Sequence, residues 1–336
     1  MSRTKLLLHG SLACGLSLML NLAPSSLMGQ AEPSGLPAPE GALFLLLPVG
    51  AQGVSLGRAM TAVPGSESAF WNPAGLAGME ESRLVVFRGN HLVGEATAVS
   101  VLFSHQPLGV FGFSYQLLDV GEQDLTDREG NVLGTINIRS HIGVASVATQ
   151  VTDWLDAGVN FKVVQFNLGC RGQCPDVGVR STGWAVDAGI QARPISGVPL
   201  RLGAMFAHLG PDFQVENADQ ADPLPTRIRV SAGYEVLRHF VESSDLTLWM
   251  SLEVEDRWRD PGSAPSYYMG AEFIAGQGDI LFVRAGFQEG EIAQSDGFAV
   301  GVGLRYQRFE LGLAKNLAGS ITGESEPVFV SFGLNF

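Results

Sequence analysis

The chain has 336 residues, a length that suits one large or two ordinary domains. Its 34 acidic and 21 basic side chains give a formal net charge of -13, which argues against nucleic-acid binding because that function needs a basic face. Only 16% of the residues are charged, whereas 46% are hydrophobic and 42 residues are glycine, a composition that is unusual for a cytosolic enzyme.

Residues 1–31 have the pattern of a secretory signal peptide. Arg3 and Lys5 precede an apolar stretch, and Gly29 and Ala31 are small residues at the spacing of a cleavage site. Beyond residue 31, no apolar run reaches the ~18 residues that a transmembrane helix needs. We therefore expect an exported protein that has no membrane-spanning helix.

Residues 32–82 do not alternate, and we predict that they form a plug. A short helix is predicted over residues 54–62, and a turn followed by a helical piece over residues 71–76. Asn72 is expected to cap that piece or to hydrogen-bond a neighbouring wall, rather than to bind a ligand. An apolar segment without a sheet of its own has to bury itself, and the interior formed by the following strands is the expected place.

From about residue 83 onward, apolar and small or polar residues alternate with period two. In one segment, Val159 and Phe161 alternate with Gly158, Asn160 and Lys162. A soluble sandwich, which is the alternative, would place mainly Lys, Glu and Thr on its polar face, but here that face is rich in Gly, Ala and Ser with isolated charges. Large residues towards lipid and small or ionic residues towards an enclosed lumen are the signature of a transmembrane β-barrel.

The predicted fold is therefore all-β, a transmembrane antiparallel β-barrel of about 14 strands over residues 83–336. The predicted strands are 83–89, 94–104, 109–118, 136–150, 154–168, 180–193, 198–209, 226–237, 245–256, 266–275, 279–288, 296–306, 308–316 and 327–336. An even number of strands is typical of bacterial barrels and places both ends on the periplasmic side.

The predicted connections alternate between short turns and longer, mostly acidic loops, as in outer-membrane barrels, although the connection after the eighth strand is longer than the other turns. The loops at about 119–135 and 209–226 are the longest. Cys170 and Cys174 lie in another loop, where a disulfide is expected because exported proteins meet an oxidising compartment. Two free thiols are the alternative, and a zinc site would need two more ligands than this loop offers.

The polar face of the predicted strands carries isolated charges that are expected to point into the lumen. Asp187 is expected to pair with Lys162 or Arg201 on a neighbouring strand, because an unpaired buried charge would be costly. Trp249, Tyr268 and Phe282 are large residues expected on the same inner face. The predicted lumen charges are Lys162, Asp187, Arg201, Arg229, Glu253, Arg284 and Arg305.

No motif in the sequence predicts catalysis, a metal site or a cofactor. Residues 53–57 match G-x-S-x-G, but a nucleophile elbow also needs His and Asp partners, and no histidine forms a recognisable motif with an acid. Residues 301–303 begin like a dinucleotide loop but lack the third glycine and a following helix. We expect the protein not to be an enzyme.

The last ten residues alternate and end on an aromatic residue. Phe332, Leu334 and Phe336 share one face, and a chain that ends this way resembles the C-terminal signal that the outer-membrane barrel assembly machinery reads. We therefore expect this machinery, together with outer-membrane lipid, among the partners of the chain.

The plug segment carries a string, "LGRAMTAVPGSESAFWNPAGLA", that resembles the N-terminal motif of the PorV/PorQ family, which is related to the FadL-type transporters of hydrophobic compounds. The matching plug residues are Gly57, Asn72, Pro73 and Gly75. Later pieces are similar as well: "LTDREGNVLGTI", "LDAGVNFKVV", "AVDAGIQARP", "LPTRIRVSAGYE" and "SFGLNF". One departure is "SLGRAM", where the family more usually has a Gly-Gly-Ala-like turn.

The resemblance implies a fourteen-stranded barrel in the bacterial outer membrane with an N-terminal plug. It also implies a main function and an alternative. PorV-like members serve type IX secretion by holding exported proteins at the surface, which would make secretion-system proteins the partners. FadL-like members pass hydrophobic small molecules through the lumen, which would make a hydrophobic ligand the partner. The secretion role is the main prediction.

Overall fold

The computed structural model describes residues 39–91, 94–105, 107–174, 178–215, 221–240, 245–262, 265–290, 296–317 and 327–336. Within these residues, fourteen antiparallel strands form a closed barrel in which each strand pairs with its neighbours in sequence. The last strand pairs with the first, from Arg83 opposite Asn335 to Gly89 opposite Phe329, and this pairing closes the sheet. The predicted fold class is confirmed. The predicted signal peptide lies outside the described residues.

Except at the end of β3 and the start of β4, the strands begin and end close to their predicted positions. They are β1 Arg83–His91, β2 Gly94–His105, β3 Gly109–Thr126, β4 Val132–Thr152, β5 Leu155–Gly172, β6 Val179–Ala192, β7 Leu200–Leu209, β8 Arg227–Glu235, β9 Leu246–Arg257, β10 Ser266–Ala275, β11 Ile280–Glu289, β12 Gly297–Tyr306, β13 Phe309–Asn316 and β14 Val328–Asn335.

The two faces of the wall have the predicted polarity. Val159 and Val230 point outward and are 49% and 56% exposed, whereas their neighbours Asn160 and Ser231 are buried on the inner face. Most other buried strand residues are small, polar or ionic, while the outer surface carries bulky apolar side chains. Such an outer surface suits a hydrocarbon environment, and the closed sheet leaves no unpaired edge within it.

The prediction of a long loop at 119–135 is wrong, because β3 and β4 continue to pair through most of it. Beyond a bulge after Asp119, the ladder resumes with Glu122 opposite Asn137 and ends at a tight turn. The Asp127 carboxylate holds this turn by accepting hydrogen bonds from the Asn131 side chain and from the backbone amides of Asn131 and Glu129. These hydrogen bonds lower the pKa of Asp127, and the bond from the Asn131 side chain has the largest effect.

The plug segment has little regular structure. It contains the α-helical turn Ala51–Ser55 and the 3-10 turns Leu43–Leu46, Ser66–Ala69 and Pro73–Leu76. The helical piece after Trp71 is confirmed. No helix among the described residues has the length and apolar character required to span a bilayer.

The predicted helix over residues 54–62 is wrong, because the helix begins and ends earlier. Gly57 and Arg58 both adopt positive φ angles, 58° and 71°, and such left-handed residues end an α-helix. This turn lies where the sequence departs from the family pattern. Its second residue is not glycine, and such a conformation is uncommon for arginine.

Candidate functional site

The plug crosses the lumen from one side of the wall to the other. Its α-helical turn Ala51–Ser55 contacts β11 to β14, whereas its 3-10 turn Pro73–Leu76 contacts β4, β5 and β6. The plug segment therefore divides the lumen into a part on the loop side and a part at the end of the barrel that carries the short turns.

Glycines of the wall form the seats on which the plug rests. A Cβ atom added at Gly286 of β11 would lie 2.1 Å from the backbone nitrogen of Gly57. At Gly203 of β7 it would lie 2.2 Å from the carbonyl oxygen of Thr61, and at Gly301 of β12 it would lie 2.5 Å from the Cβ of Ser55. Because real side chains do not approach this closely, each seat requires glycine or a displaced plug.

Glu253 of β9 fastens the middle of the plug to the wall. Its carboxylate accepts hydrogen bonds from the backbone nitrogen and the hydroxyl of Thr61, at 2.7 and 2.8 Å. The Gln191 side chain of β6 donates to the carbonyl oxygen of the same threonine at 3.0 Å. Thr61 is therefore held from two strands of the wall that are not neighbours.

Asn72 performs both of the roles considered for it. Its Oδ1 accepts from the backbone nitrogen of Ala74 and caps the 3-10 turn, while its Nδ2 donates to the carbonyl oxygens of Thr61 and Ile190. Pro73 and Gly75 continue this turn, and both are buried. Gly57 packs against the backbone of Phe287. The four residues of the plug motif thus lie at contacts within the plug or with the wall.

Glu67 is a buried carboxylate of the plug that caps the α-helical turn. It accepts from the backbone nitrogens of Gln52 and Gly53, at 3.0 and 2.8 Å, and from the hydroxyl of Ser331 on β14. The same Ser331 oxygen accepts from the backbone nitrogen of Ala51 at 2.7 Å. Burial raises the pKa of Glu67, and the two backbone hydrogen bonds oppose this effect.

Lys162 and Asp187 form a buried ion pair on adjacent strands, with 2.6 Å between Nζ and Oδ2. The other oxygen of Asp187 accepts from the backbone nitrogen of His208, which has a positive φ of 61°. The pairing of β6 and β7 shifts by one residue at this point, so Ala207 and His208 are both buried. Asp187 thus neutralises a lysine and also stabilises a β-bulge. Arg201, the other partner considered for it, does not pair with it.

Three more of the predicted lumen charges, all arginines, pair with acids on the inner face of the wall. Arg229 pairs with Glu255 and lies over the ring of Trp71, with 5.3 Å between the guanidinium carbon and the ring centroid. Arg284 pairs with Glu272 at 2.6 Å. Arg305 pairs with Glu310 at 2.7 Å and is only half-buried. Every predicted lumen charge therefore lies on the inner face.

On the loop side of the plug, apolar side chains pack together inside the lumen. Phe213 and Leu224 belong to the connection between β7 and β8, which was predicted as an acidic loop, yet both are buried. They pack on inward residues of the wall and on Leu45 of the plug. The complete cluster of buried residues is Leu45, Ile142, Val144, Val164, Ala185, Phe213 and Leu224.

The G-x-S-x-G match does not form a nucleophile elbow. Ser55 is fully buried against Gly301, and its hydroxyl donates to the carbonyl oxygen of Gln52 at 3.0 Å. No group of three or more His, Cys, Asp or Glu side chains within the described part of the chain is arranged to hold a metal ion. Cys170 and Cys174 are joined by a disulfide at the loop end of β5.

The C-terminal residues lie on the outer face of the barrel. Phe332 stacks on Phe309, and Phe336 packs edge-on against Phe103. Leu334, which stands between these two residues in the sequence, is half-buried. The backbone nitrogen of Phe336 donates to the carbonyl oxygen of Ser82 at 2.9 Å, which ties the end of the chain to the start of the barrel. Recognition of these residues by the assembly machinery stays a prediction.

Several solved structures share this fold. A Pseudomonas aeruginosa FadL homologue matches with a TM-score of 0.55 and 10% identity over 86% of this chain and 98% of its own. The CymD monoaromatic hydrocarbon channel matches with a TM-score of 0.56 and 12% identity over 89% of this chain and 99% of its own. The Pseudomonas putida toluene transporter TodX matches with a TM-score of 0.54 and 10% identity over 88% of this chain and 97% of its own. No protein-family model and no curated protein matches the chain.

These similarities define the chain as a fourteen-stranded barrel with the fold of FadL-type outer-membrane proteins. Together with the apolar outer surface and the closed sheet, the fold places the chain in the bacterial outer membrane. None of the matches supports the PorV/PorQ resemblance specifically.

Sequence reasoning missed the residues that fasten the plug. Thr61, Glu67 and Ser331 each take part in a hydrogen bond between the plug and the wall. None of the three belongs to a motif. A signal was available for Ser331 only, because it lies on the small-residue face of the last strand. The partners of Thr61 and Glu67 on the barrel wall are far away in sequence.

Proposed function

We propose that the chain is a passive channel for hydrophobic small molecules in the outer membrane and that it has no enzymatic activity. The observation that carries this proposal is the cluster of apolar side chains on the loop side of the plug. A water-filled porin has a polar interior, so a cluster of buried apolar side chains at the outer entrance favours an apolar solute instead. The CymD channel and the TodX transporter, named for monoaromatic hydrocarbons and toluene, have the same fold.

In this proposal the plug is the gate. Its glycine seats and the hydrogen bonds of Thr61 and Asn72 hold it against the wall on several sides. A solute that enters from the loop side meets the cluster in which Phe213 and Leu224 of the β7–β8 connection pack on Leu45 of the plug. Passage therefore requires the plug segment to shift, and a plug that is fastened covalently should stop it.

A disulfide between plug and wall tests the proposal. A Cβ added at Gly312 of β13 would lie 3.3 Å from the Cβ of Ala51, close to the ~3.5–4.5 Å of a disulfide. Cells of a bacterial host that produce the wild-type chain should take up radiolabelled toluene faster than cells without it. The double variant Ala51→Cys, Gly312→Cys should lose this increase when oxidised and regain it with a reductant.

Three controls accompany this experiment. Each single cysteine variant should behave like the wild type, and the wild type with reductant controls for the native Cys170–Cys174 disulfide. Equal uptake with and without the wild-type chain would refute the transport proposal. Unchanged uptake by the oxidised double variant would refute the role of the plug as the gate.

A secretion role of the PorV/PorQ type is the second candidate, and one observation favours it. β3, β4 and β5 have 18, 21 and 18 residues, well above the ~9–11 that cross a bilayer, so they extend beyond the membrane as a sheet that a protein partner can contact. A pull-down from native membranes separates the two candidates. Co-purifying secretion subunits would favour this one, and a bound apolar molecule without a protein partner would favour the channel.

A further inference from the structure

A cavity lies inside the barrel at the end of the lumen opposite to the apolar cluster. It has a volume of about 240 Å³ and is bounded on one side by plug residues 62–66. Its wall residues lie where β1, β7 and β11 begin and where β10 and β12 end, which is the end of the barrel with the short turns. We call this cavity the basic chamber. It has room for about eight water molecules, so it suits a small ligand.

The basic chamber has an excess of positive charge in a chain whose net charge is -13. Four guanidinium groups and two carboxylates line it. They belong to Arg83, Arg201, Arg284, Arg305, Glu272 and Glu310. Such an excess in a partly buried space attracts anions, because the surrounding wall screens charges less than bulk water does.

The two carboxylates are used by three of the arginines. Glu310 pairs with both Arg83 and Arg305, in each case at 2.7 Å. Glu272 pairs with Arg284 and also accepts from the Gln52 side chain of the plug at 3.2 Å. Among the residues that the structure describes, these pairs leave the fourth guanidinium group of the chamber without an acidic partner.

Arg201 is that fourth group. Its guanidinium carbon lies 4.0 Å from the centroid of the Trp249 ring, and among the described residues it makes no hydrogen bond or ion pair. A guanidinium group stacked on a ring uses its face, whereas its N–H donors lie in its plane and remain available. An arginine in this position is suited to bind a carboxylate through two parallel hydrogen bonds.

Apolar side chains complete the basic chamber. Val63 and Pro64 of the plug face it from one side, and Ile274 and Ile280, at the turn between β10 and β11, contribute from the wall. All four are half-buried. A ligand in the chamber therefore meets an apolar surface as well as a cation.

We propose that the basic chamber binds a small amphipathic carboxylate, with its carboxylate on Arg201 and its apolar part against Val63, Pro64 and Ile274. This site goes beyond the proposed transport, because it requires only the chamber and not the movement of the plug. A free inorganic anion lacks the apolar part and binds more weakly. A neutral molecule of the same shape lacks the charge and also binds more weakly.

Isothermal titration calorimetry on the full chain in neutral detergent micelles tests the proposal. The probes are phenylacetate, its neutral counterpart phenylacetamide, and inorganic phosphate, with empty micelles as the blank. The variants are Arg201→Gln, Arg201→Lys and the control Arg308→Gln, which removes the same charge from an exposed position at the same end of the barrel. Heat-dependent gel mobility checks that each variant is folded.

Phenylacetate should bind the wild type more tightly than either other probe. Arg201→Gln should weaken its binding about tenfold, as expected for the loss of a charged hydrogen-bonding partner, Arg201→Lys should restore part of the loss, and Arg308→Gln should change nothing. Equal binding of acid and amide, equal binding of phosphate, or an unchanged affinity in folded Arg201→Gln would overturn the proposal. Failed toluene uptake with intact phenylacetate binding would refute the transport proposal alone.

Discussion

Replacing Glu253 by alanine should release the middle of the plug while leaving the barrel closed. The Glu253 carboxylate accepts two hydrogen bonds from Thr61, and both come from buried groups. Without the carboxylate, the backbone nitrogen and the hydroxyl of Thr61 lose these acceptors. The 14 strands retain their ladder, because the side chain of residue 253 takes no part in it.

The expected magnitude follows from these two contacts. The usual ranges for hydrogen bonds to neutral and to charged groups meet at about 1.5 kcal/mol, so the two bonds together hold the plug by about 3 kcal/mol. A free-energy change of that size corresponds to a factor of roughly 100 in the equilibrium between the seated and the released plug.

Hydrogen–deuterium exchange measures this equilibrium directly. Peptides that cover residues 57–66 should exchange roughly a hundredfold faster in Glu253→Ala than in the wild type, while peptides from β1 and β14 should be unchanged. The exposed Glu289→Ala on the outer face is the matched control. Faster exchange at Thr61 alone would mean that only one amide lost its acceptor, and unchanged exchange over residues 57–66 would refute the anchoring role.

Three further predictions concern the plug and the end of the chain. Gly286→Val should displace the plug, because even a Cβ atom at this seat would lie 2.1 Å from the backbone nitrogen of Gly57. We expect faster hydrogen–deuterium exchange of the plug with no loss of barrel closure. Unchanged exchange would contradict this prediction. Burial raises the pKa of Glu67 above 4.5, so its contribution to plug stability is complete below that pH and is lost as the pH rises through the raised pKa. In a variant whose other tryptophans are replaced by phenylalanine, acrylamide should therefore quench the fluorescence of Trp71 more strongly at pH 8 than at pH 4.5. Adding Glu67→Gln should reduce this difference. Deletion of Phe336 should lower the fraction of heat-modifiable, membrane-inserted protein in cells, and wild-type levels would argue against an assembly signal there.

Much of the barrel was predictable from the sequence because membrane strands obey a local rule. The alternation around Val159 and Val230 decides which face of a strand meets lipid, and it does so without knowledge of any other strand. The inward direction of Arg229, Glu253 and Arg284 followed from the same rule. The loop at 119–135 was mistaken because polar residues beyond the membrane no longer alternate in hydrophobicity, although they continue to pair as strands.

The site itself was only partly predictable. Asn72 stood out through its motif, and Asp187 through its position on the inner face. The apolar cluster was not apparent, since Phe213 and Leu224 lie in an acidic connection and become buried only when that connection folds onto Leu45. The helix boundaries were missed for a similar reason, because the cap of the α-helical turn comes from Glu67, which lies outside it.

By itself, the sequence determined the barrel, the number of its strands, the lipid-facing surface and the presence of a separate apolar segment before it. These features depend on period-two patterning, which each strand carries locally. Only the tertiary structure decided where that segment is seated, which acid meets which base, and that Arg201 lies on Trp249 with no carboxylate of the described residues as its partner. Such pairings join residues that are tens to hundreds of positions apart, and closure of the sheet, rather than any local pattern, brings them together.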